Sequence, residues 1–312
     1  PTRKAAFVMM RNALLWASTN PFLAERLPQY GFVKRATERF MPGEGLNDAL
    51  GEASTLEATG ANTTVTLLGE NLASVDEADG VVEHYLDVLG EIKSKKLSTE
   101  VSIKPTQLGL DFGANGAQER LDTLISATDS LVWIDMEGSD YVDATLDMFK
   151  ASRAKHENVG LCIQSYLHRT KGDLEELLPL DPSIRLVKGA YNEPESVAFP
   201  RKTDVDQNFI RLTSMLLRAK ANGGAGRPVL GTHDPRMIGE ANRMAYELDL
   251  EKDAHEFAML YGITRGEQER LVRDGRALRV LISYGSAWFP WYMRRLAERP
   301  ANVWFVMKQL VR

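Results

Sequence analysis

Residues 64–72 read Thr-Val-Thr-Leu-Leu-Gly-Glu-Asn-Leu, and this stretch decides between two folds. A short β-branched and aliphatic run is typical of a buried strand, and the amphipathic residues 75–95 that follow it are typical of a helix. A doubly wound open sheet that binds a dinucleotide would carry a glycine-rich fingerprint at this first strand–helix turn. Residues 67–72 contain no such fingerprint, so the stretch favours a barrel.

The same alternation of strand and helix recurs along the rest of the chain. The candidate strands are residues 64–70, 101–108, 131–137, 159–166, 184–191, 228–234, 256–261 and 277–284. Helical candidates between them are residues 75–95, 117–130, 141–156, 204–222 and 235–248. Strict alternation implies a parallel sheet, and eight units of roughly 30 residues each predict a (β/α)8 barrel of the TIM type.

The residues before the first strand follow a different pattern. Residues 1 to about 60 predict helices that are broken by turns at Asn20-Pro21 and at residues 42–45. We therefore expect an N-terminal helical segment over residues 1–62 and a barrel domain over residues 63–312. The last helix is expected to lie over the carboxyl end of the barrel, where such folds carry their active sites.

Composition excludes several classes of protein. The net charge of -5 gives no basic surface for nucleic acid, and no apolar run reaches the roughly 18 residues of a membrane span. The single cysteine, Cys162, excludes an internal disulfide and suits a reducing compartment. The histidines lack metal-site spacing, and His84 and His156 are expected on the surfaces of helices. We expect a soluble, cytoplasmic-type protein without a bound metal.

Polar side chains occupy the carboxyl ends of several candidate strands, where alternate residues face the interior of a barrel. The inward positions by this parity are Ser102, Lys104 and Thr106; Asp135 and Glu137; Gln164 and Tyr166; Arg185, Val187, Gly189 and Tyr191; and Glu70. Burial of an unpaired charge is costly, and opposite charges that meet at one mouth offset that cost. The pattern predicts a reaction chamber, with Lys188 pointing the other way, toward the helices.

The last predicted helix carries two adjacent arginines, Arg294 and Arg295, after the aromatic residues 288–292. Two guanidiniums suit a carboxylate, because each can form bidentate charge-assisted hydrogen bonds. Adjacent residues on a helix diverge by about 100 degrees, so both arginines reach one ligand only if the helix lies over the site. A solvated basic face is the alternative interpretation.

The residues leave more than one function open. Lys104 in a desolvated barrel could form a Schiff base, as in a lyase or aldolase. A barrel without catalysis could use the arginines only to bind an anionic metabolite.

Seven segments, in the same order along the chain, resemble the proline dehydrogenase family, and specifically its single-function bacterial type. They are residues 102–108, 134–137, 164–170, 185–191, 231–234, 257–262 and 292–298. The resemblance implies FAD bound without a covalent link in a distorted barrel. It also implies oxidation of L-proline to Δ1-pyrroline-5-carboxylate, the first step of proline degradation to glutamate, with electrons passed to a quinone. The downstream partner would be a pyrroline-5-carboxylate or glutamate semialdehyde dehydrogenase, and membrane contact would be peripheral, on the inner face and through the N-terminal helices.

The resemblance also assigns roles to individual residues. The catalytic residues would be Asp135, Arg185, Tyr191 and Glu70. Substrate contacts would come from Lys104, Leu260, Arg294 and Arg295. The FAD contacts would be Met136, Gln164, Arg185, Val187, Lys188, Gly189, Ala190, Lys202, Thr232 and His233. A pair between Glu70 and Arg294 is expected to close the site over bound substrate.

The sequence departs from the family pattern at one position. Leu281 stands where the family usually has a tyrosine, four residues before the glycine that aligns with Gly285. The aromatic wall against the substrate ring is therefore either incomplete or supplied by Tyr284 or Trp288. This departure leaves the preference between proline and 4-hydroxyproline open.

Overall fold

A computed structural model describes residues 39–69, 72–289 and 292–293. In this part of the chain, parallel strands pair in sequence order and β8 pairs with β1, which closes a barrel. The strands are β1 (Asn62–Leu67), β2 (Glu100–Ile103), β3 (Val132–Ile134), β4 (Val159–Gln164), β5 (Ser183–Val187), β6 (Pro228–Gly231), β7 (Glu256–Leu260) and β8 (Ala277–Tyr284). The predicted (β/α)8 fold is confirmed.

Helices surround the barrel and begin where the local sequence favours it. In the described residues they are α1 (Leu46–Ala58), α2 (Val75–Ser94), α3 (Ala114–Ser126), α4 (Val142–Arg153), α5 (Thr170–Leu177), α6 (Lys202–Ala221), α7 (Pro235–Glu247) and α8 (Arg265–Arg273). Ser74 caps α2 by accepting a hydrogen bond from the Glu77 amide at 3.3 Å. Helix α1 precedes β1 and packs against both β1 and β8, where the barrel closes. No helix in the described residues has both the length and the apolar character to cross a bilayer.

The five predicted helices between strands are confirmed, whereas several strands were predicted too long at their carboxyl ends. The second strand ends at Ile103, and residues Pro105–Leu108 form a 3-10 helix instead. Pro105 has no N–H for the strand ladder, so the chain turns there. The strand parity assigned to Thr106 was therefore wrong. Helices α5 and α8 were not predicted. The N-terminal segment up to residue 38 lies outside the described residues, and the domain boundary near residue 62 stays a prediction.

One of the two helical histidines was misjudged as a surface residue. His84 lies on α2, and its Nε2 atom is 2.7 Å from the hydroxyl of Tyr284 at the end of β8. The surface prediction for His84 was wrong because this edge of α2 contacts the barrel. His156 is partly exposed, but it lies three residues beyond the end of α4, so its predicted placement on a helix was wrong.

A network of buried charges closes the amino-terminal end of the barrel. Arg279 donates from Nε to Glu256 at 2.8 Å, and its Nη1 atom lies 3.2 Å from Glu100. Arg227 donates to both carboxylate oxygens of Glu100, at 2.6 and 2.8 Å. Two carboxylates thus meet two guanidiniums, which compensates the cost of removing each charge from water.

Trp133 on β3 fills the barrel above this network. The indole is fully buried, and its Nε1–H donates to Glu100 at 2.6 Å. Gly160 is the partner of Trp133 in the register of β3 and β4, and a Cβ atom at Gly160 would lie 2.6 Å from a carbon of the indole ring. The missing side chain on β4 is therefore what makes room for the large one on β3.

Candidate active site

Polar side chains from three strands meet at the carboxyl end of the barrel. Arg185 on β5 donates to Asp135, the residue after β3, and to the Ser102 hydroxyl on β2 at 2.8 Å. The Arg185 side chain is 7% exposed and the Asp135 side chain 20% exposed. The alternating parity predicted that these strands direct polar groups to one place, and the contacts confirm that prediction for these three residues.

The surroundings keep Arg185 charged. Burial has the largest single effect and lowers the pKa of Arg185, but the negative charge of Asp135 and the smaller effects of other neighbours together leave the pKa above its ordinary value. Cys162 on β4 is the partner of Arg185 in the register of β4 and β5. Burial raises the pKa of Cys162 in spite of that nearby cation, so the thiol stays neutral. The result is a permanent positive charge in a pocket of low dielectric.

Hydrogen bonds tie the segments that follow β1, β2 and β3 together. Glu137 accepts from both the amide and the hydroxyl of Thr106, at 3.0 and 2.8 Å. Gln107 donates to the carbonyls of Leu67 and Gly69, at 2.9 and 3.1 Å. Lys104, two residues before Thr106, is partly buried. Its ammonium forms neither a salt bridge nor a hydrogen bond with any residue that the structure describes.

Gln164, at the end of β4, has an unused acceptor. Its Nε2 atom donates to the carbonyl of Met136 at 3.3 Å, whereas its buried Oε1 atom has no partner among the described residues. An unsatisfied buried acceptor costs about 1–3 kcal/mol, so natural proteins rarely keep one without a reason. A ligand with an N–H donor would satisfy it.

The main chain after β5 is held against the loop after β4. The carbonyls of Val187 and Lys188 accept from the amides of Ser165 and Tyr166, at 2.8 and 2.9 Å. Gly189 has φ of 112°, and a Cβ atom there would lie 2.2 Å from the Tyr166 ring. Only glycine fits at this position. Ala190 and Tyr191 follow in the same loop, with Tyr191 partly buried.

A five-residue charge cluster lies beside this loop, at the first turns of α6 and α7. Lys188 and Lys202 both contact Asp206, and Arg236 lies 2.8 Å from Asp234 and 3.3 Å from Asp206. The hydrogen bond from Arg236 holds the pKa of Asp234 well below its ordinary value. Three cations therefore face two ionised carboxylates, which leaves an excess of positive charge. Lys188 points toward the helices, as its parity predicted.

The ends of β6 and β7 are joined through His233. Its Nε2 atom accepts from the amide of Leu260 at 3.2 Å, and its Nδ1 atom is 3.3 Å from the hydroxyl of Thr264. An accepting Nε2 atom requires the neutral ring with the proton on Nδ1. The neighbouring Thr232 accepts from the amide of Asp234 at 3.1 Å.

The end of β8 shows which way its aromatic residues point. Arg279 and Leu281 share the inward parity, and Leu281 is partly exposed. Tyr284 has the opposite parity and contacts His84 on α2, so it does not line the inside wall. The suggestion that Tyr284 replaces the missing tyrosine was therefore wrong. Trp288 is tied to the segment before α1, because its Nε1–H donates to Glu44 at 3.0 Å.

Three of the expected site residues, Glu70, Arg294 and Arg295, lie outside the described residues. Tyr292, two residues before Arg294, is buried, and its ring centroid is 6.1 Å from that of Phe40. Tyr292 therefore packs against the segment that precedes α1. The pairing of Glu70 with Arg294 stays a prediction.

Sequence reasoning gave no role to two residues that contact Arg185. Cys162 is its register partner on β4, and the ring of Trp133 lies 5.1 Å from its guanidinium carbon. Both occupy inward positions, so the parity rule applied along the whole strand would have found them. In the described residues, no group of three or more His, Cys, Asp and Glu side chains is arranged to hold a metal ion.

Comparison with known proteins gives a consistent result. The family model described as proline dehydrogenase matches residues 49–308. Proline dehydrogenase 2 of Bacillus subtilis subsp. natto is 35% identical over 308 residues, which are 98% of this chain and 99% of the relative. Proline dehydrogenase of Deinococcus radiodurans is 33% identical over 312 residues, with 97% of this chain and 98% of the relative covered.

A solved structure shares the fold. Proline utilization A from Bdellovibrio bacteriovorus, inactivated by N-propargylglycine, matches with a TM-score of 0.80 at 23% identity. The match covers 93% of this chain and 36% of that longer chain. At this identity the likeness supports the barrel architecture alone.

Proposed function

This chain belongs to the proline dehydrogenase family, and we propose that it oxidises L-proline to Δ1-pyrroline-5-carboxylate with bound FAD. The reaction would be the first step in the degradation of proline to glutamate, and a quinone would receive the electrons. The observation that carries the proposal is the buried pair of Arg185 and Asp135 at the barrel mouth. Lys104 directly follows β2, the strand next to β3, and adds an ammonium without a partner among the described residues.

The donors and acceptors at the mouth fit FAD. The unused Oε1 of Gln164 would accept from an N–H of the isoalloxazine ring, and Arg185 would lie beside the same ring. The excess positive charge of Lys188, Lys202 and Arg236 over their carboxylates suits a diphosphate. The other residues that would hold the cofactor are Met136, Val187, Gly189, Ala190, Thr232 and His233. When bound, FAD would supply the hydride-accepting chemistry.

The substrate would be held by its carboxylate. Arg294 and Arg295, beyond the described residues, would grip that group, because two guanidiniums offer several charge-assisted hydrogen bonds. The other residues proposed to contact proline are Lys104, Asp135, Tyr191 and Leu260. A Glu70–Arg294 pair would then close the site and exclude water.

Positive charge around the substrate would prepare the amine for oxidation. Arg185 stays protonated, since Asp135 and other neighbours together keep its pKa raised despite burial. Cations near a second basic group lower the pKa of that group. Arg185 and Lys104, together with Arg294 and Arg295, would therefore hold the substrate amine in the neutral form that oxidation requires.

The product defines the pathway partners. Its ring can open in water to glutamate semialdehyde, so a pyrroline-5-carboxylate or glutamate semialdehyde dehydrogenase would act next. Transfer of electrons to a membrane quinone would need only peripheral contact with the bilayer. The N-terminal region, expected to make that contact, lies outside the described residues.

The visible spectrum of the purified protein tests the proposal directly. We expect a yellow protein whose flavin absorbance is bleached when L-proline is added without oxygen. Formation of the pyrroline product would confirm the direction of the reaction. A protein that is colourless, that flavin does not reconstitute and that borohydride links to substrate at Lys104 would instead be a Schiff-base lyase. Binding of proline analogues without bleaching would indicate a barrel that only binds.

A further inference from the structure

The indole of Trp133 joins the two charged ends of the barrel. The guanidinium carbons of Arg185 and Arg227 lie 5.1 and 5.5 Å from the ring centroid, within the range of a cation–π contact. The same ring donates from Nε1 to Glu100 at 2.6 Å. One fully buried side chain therefore contacts the arginine of the mouth and a carboxylate of the opposite network.

The position of the ring is fixed on two sides. Glu100, which accepts from Nε1, is itself held by Arg227 at 2.6 Å and lies 3.2 Å from Arg279. On the β4 side, a single added carbon at Gly160 would already come within 2.6 Å of the ring. The indole consequently cannot shift without breaking a buried hydrogen bond or a close contact.

Arg185 needs such a support. Its side chain is long and flexible, and the negative charge of Glu100 attracts it as well as that of Asp135. Trp133 donates a hydrogen bond to one oxygen of Glu100, and the face of its ring contacts Arg185. Without the indole, a guanidinium that now reaches Asp135 could turn toward Glu100.

We propose that Trp133 is a positioning residue, which holds the guanidinium of Arg185 at the barrel mouth through its ring face and is itself held by Glu100 and by the gap at Gly160. The inference rests on the proposed function, in which Arg185 lies beside the flavin. Trp133 touches neither substrate nor cofactor in this account and acts through Arg185 alone.

Three substitutions separate the features of Trp133. Trp133→Leu removes both the ring and the N–H, and Trp133→Phe keeps a ring face but removes the donor to Glu100. Gly160→Ala leaves all polar chemistry in place and forces the ring to move. The matched control is Glu256→Gln, because Glu256 belongs to the same buried network through Arg279 but makes no hydrogen bond with Trp133 or Arg185.

The first readout needs no flavin. Cys162 is the single cysteine of the chain and stands opposite Arg185 in the register of β4 and β5, so the S–H stretching band of the protein reports on the electric field of the guanidinium at that one thiol. We expect the band of the flavin-free protein to shift in Trp133→Leu and Gly160→Ala, to shift less in Trp133→Phe, and to stay unchanged in Glu256→Gln.

The second readout separates the rate from binding. At saturating proline, the rate of flavin reduction per bound flavin should fall about tenfold in Trp133→Leu, while the dissociation constant for proline changes by less than about twofold. Glu256→Gln should leave the rate near that of the wild type. A shifted S–H band in Gly160→Ala supports the proposal even if Trp133→Leu does not fold.

Two results would overturn the proposal. One is an S–H band that is unchanged in both Trp133→Phe and Gly160→Ala, and the other is an equal shift in Glu256→Gln. A wild-type protein that binds no flavin, or that proline does not reduce, would contradict the proposed function instead. The S–H band of the flavin-free protein would still decide the position of Arg185 in that case.

Discussion

The two ends of the barrel both contain buried charges, but they use them differently. At the amino-terminal end, the carboxylates of Glu100 and Glu256 are matched by the guanidiniums of Arg227 and Arg279. At the carboxyl end, Arg185 has a carboxylate partner, but the acceptor of Gln164 lacks a donor within the described residues. The matched charges of the amino-terminal end indicate scaffold, and the unused acceptor of Gln164 beside the charged pair of the mouth indicates a site for a ligand.

The largest effect is expected from removing a charge of the network at the amino-terminal end of the barrel. Arg279→Met would leave Glu100 and Glu256 buried with too little positive charge, and removing one partner of such a pair costs about 3–5 kcal/mol. Urea unfolding of the flavin-free protein measures this loss. Arg236→Met, in which a mostly exposed side chain is lost, is the control and should cost less than about 1 kcal/mol. Equal losses in the two variants would contradict the comparison.

A low pH should also reduce the stability of the fold through a buried histidine at the amino-terminal end. His255, which precedes β7, is fully buried, and both ring nitrogens lack partners among the described residues. Burial, with a smaller effect of Arg276, lowers the pKa of His255 from its ordinary value of 6.5 to about 4. The unfolded chain binds a proton below pH 6.5 and the folded protein does not, so stability is lost as the pH falls from 6.5 to 4. The loss is on the order of 3 kcal/mol at most.

The free energy of unfolding, measured between pH 4 and pH 8, checks the role of His255. His255→Phe should remove this part of the acid sensitivity, whereas His156→Gln, at a partly exposed position, should retain it. An unchanged pH dependence in His255→Phe would show that other groups are responsible.

At the carboxyl end of the barrel, Arg294→Met should weaken substrate binding and leave the cofactor in place. Loss of a charge-assisted hydrogen bond costs about 1.5–3 kcal/mol, which corresponds to a 10- to 100-fold higher KM for proline. Steady-state kinetics and the flavin content of the purified variant measure the two quantities. Loss of flavin would mean that the role of Arg294 was misassigned.

The smallest effect is expected at Leu281. Leu281 is partly exposed at an inward position of β8, and Leu281→Tyr would place an aromatic ring there. The ratio of kcat/KM for proline and 4-hydroxyproline should change by about tenfold, the size of a single contact difference. An unchanged ratio would count against the placement of Leu281 on the wall.

The sequence alone predicted the repeating architecture and much of the mouth. Strand parity found Ser102, Asp135 and Arg185 because the period of two is imposed by the backbone itself. It failed at Thr106, where Pro105 ends the strand, and it gave no direction for His84, whose contact with Tyr284 depends on packing between a helix and a strand 200 residues away. The network of Glu100 and Arg279 was not predicted, because the parity rule was applied only to the carboxyl ends of the strands.

The central claim is that the carboxyl end of the barrel performs the chemistry and that the charge network of the amino-terminal end supports it. The rate at which proline reduces bound flavin without oxygen, measured by stopped flow in Arg185→Met and Glu256→Gln, tests that claim most directly. We predict a loss of about 100- to 1000-fold per bound flavin in Arg185→Met, as for removal of other preorganised electrostatic groups, and a rate near that of the wild type in Glu256→Gln. Equal rates in the two variants would contradict the claim.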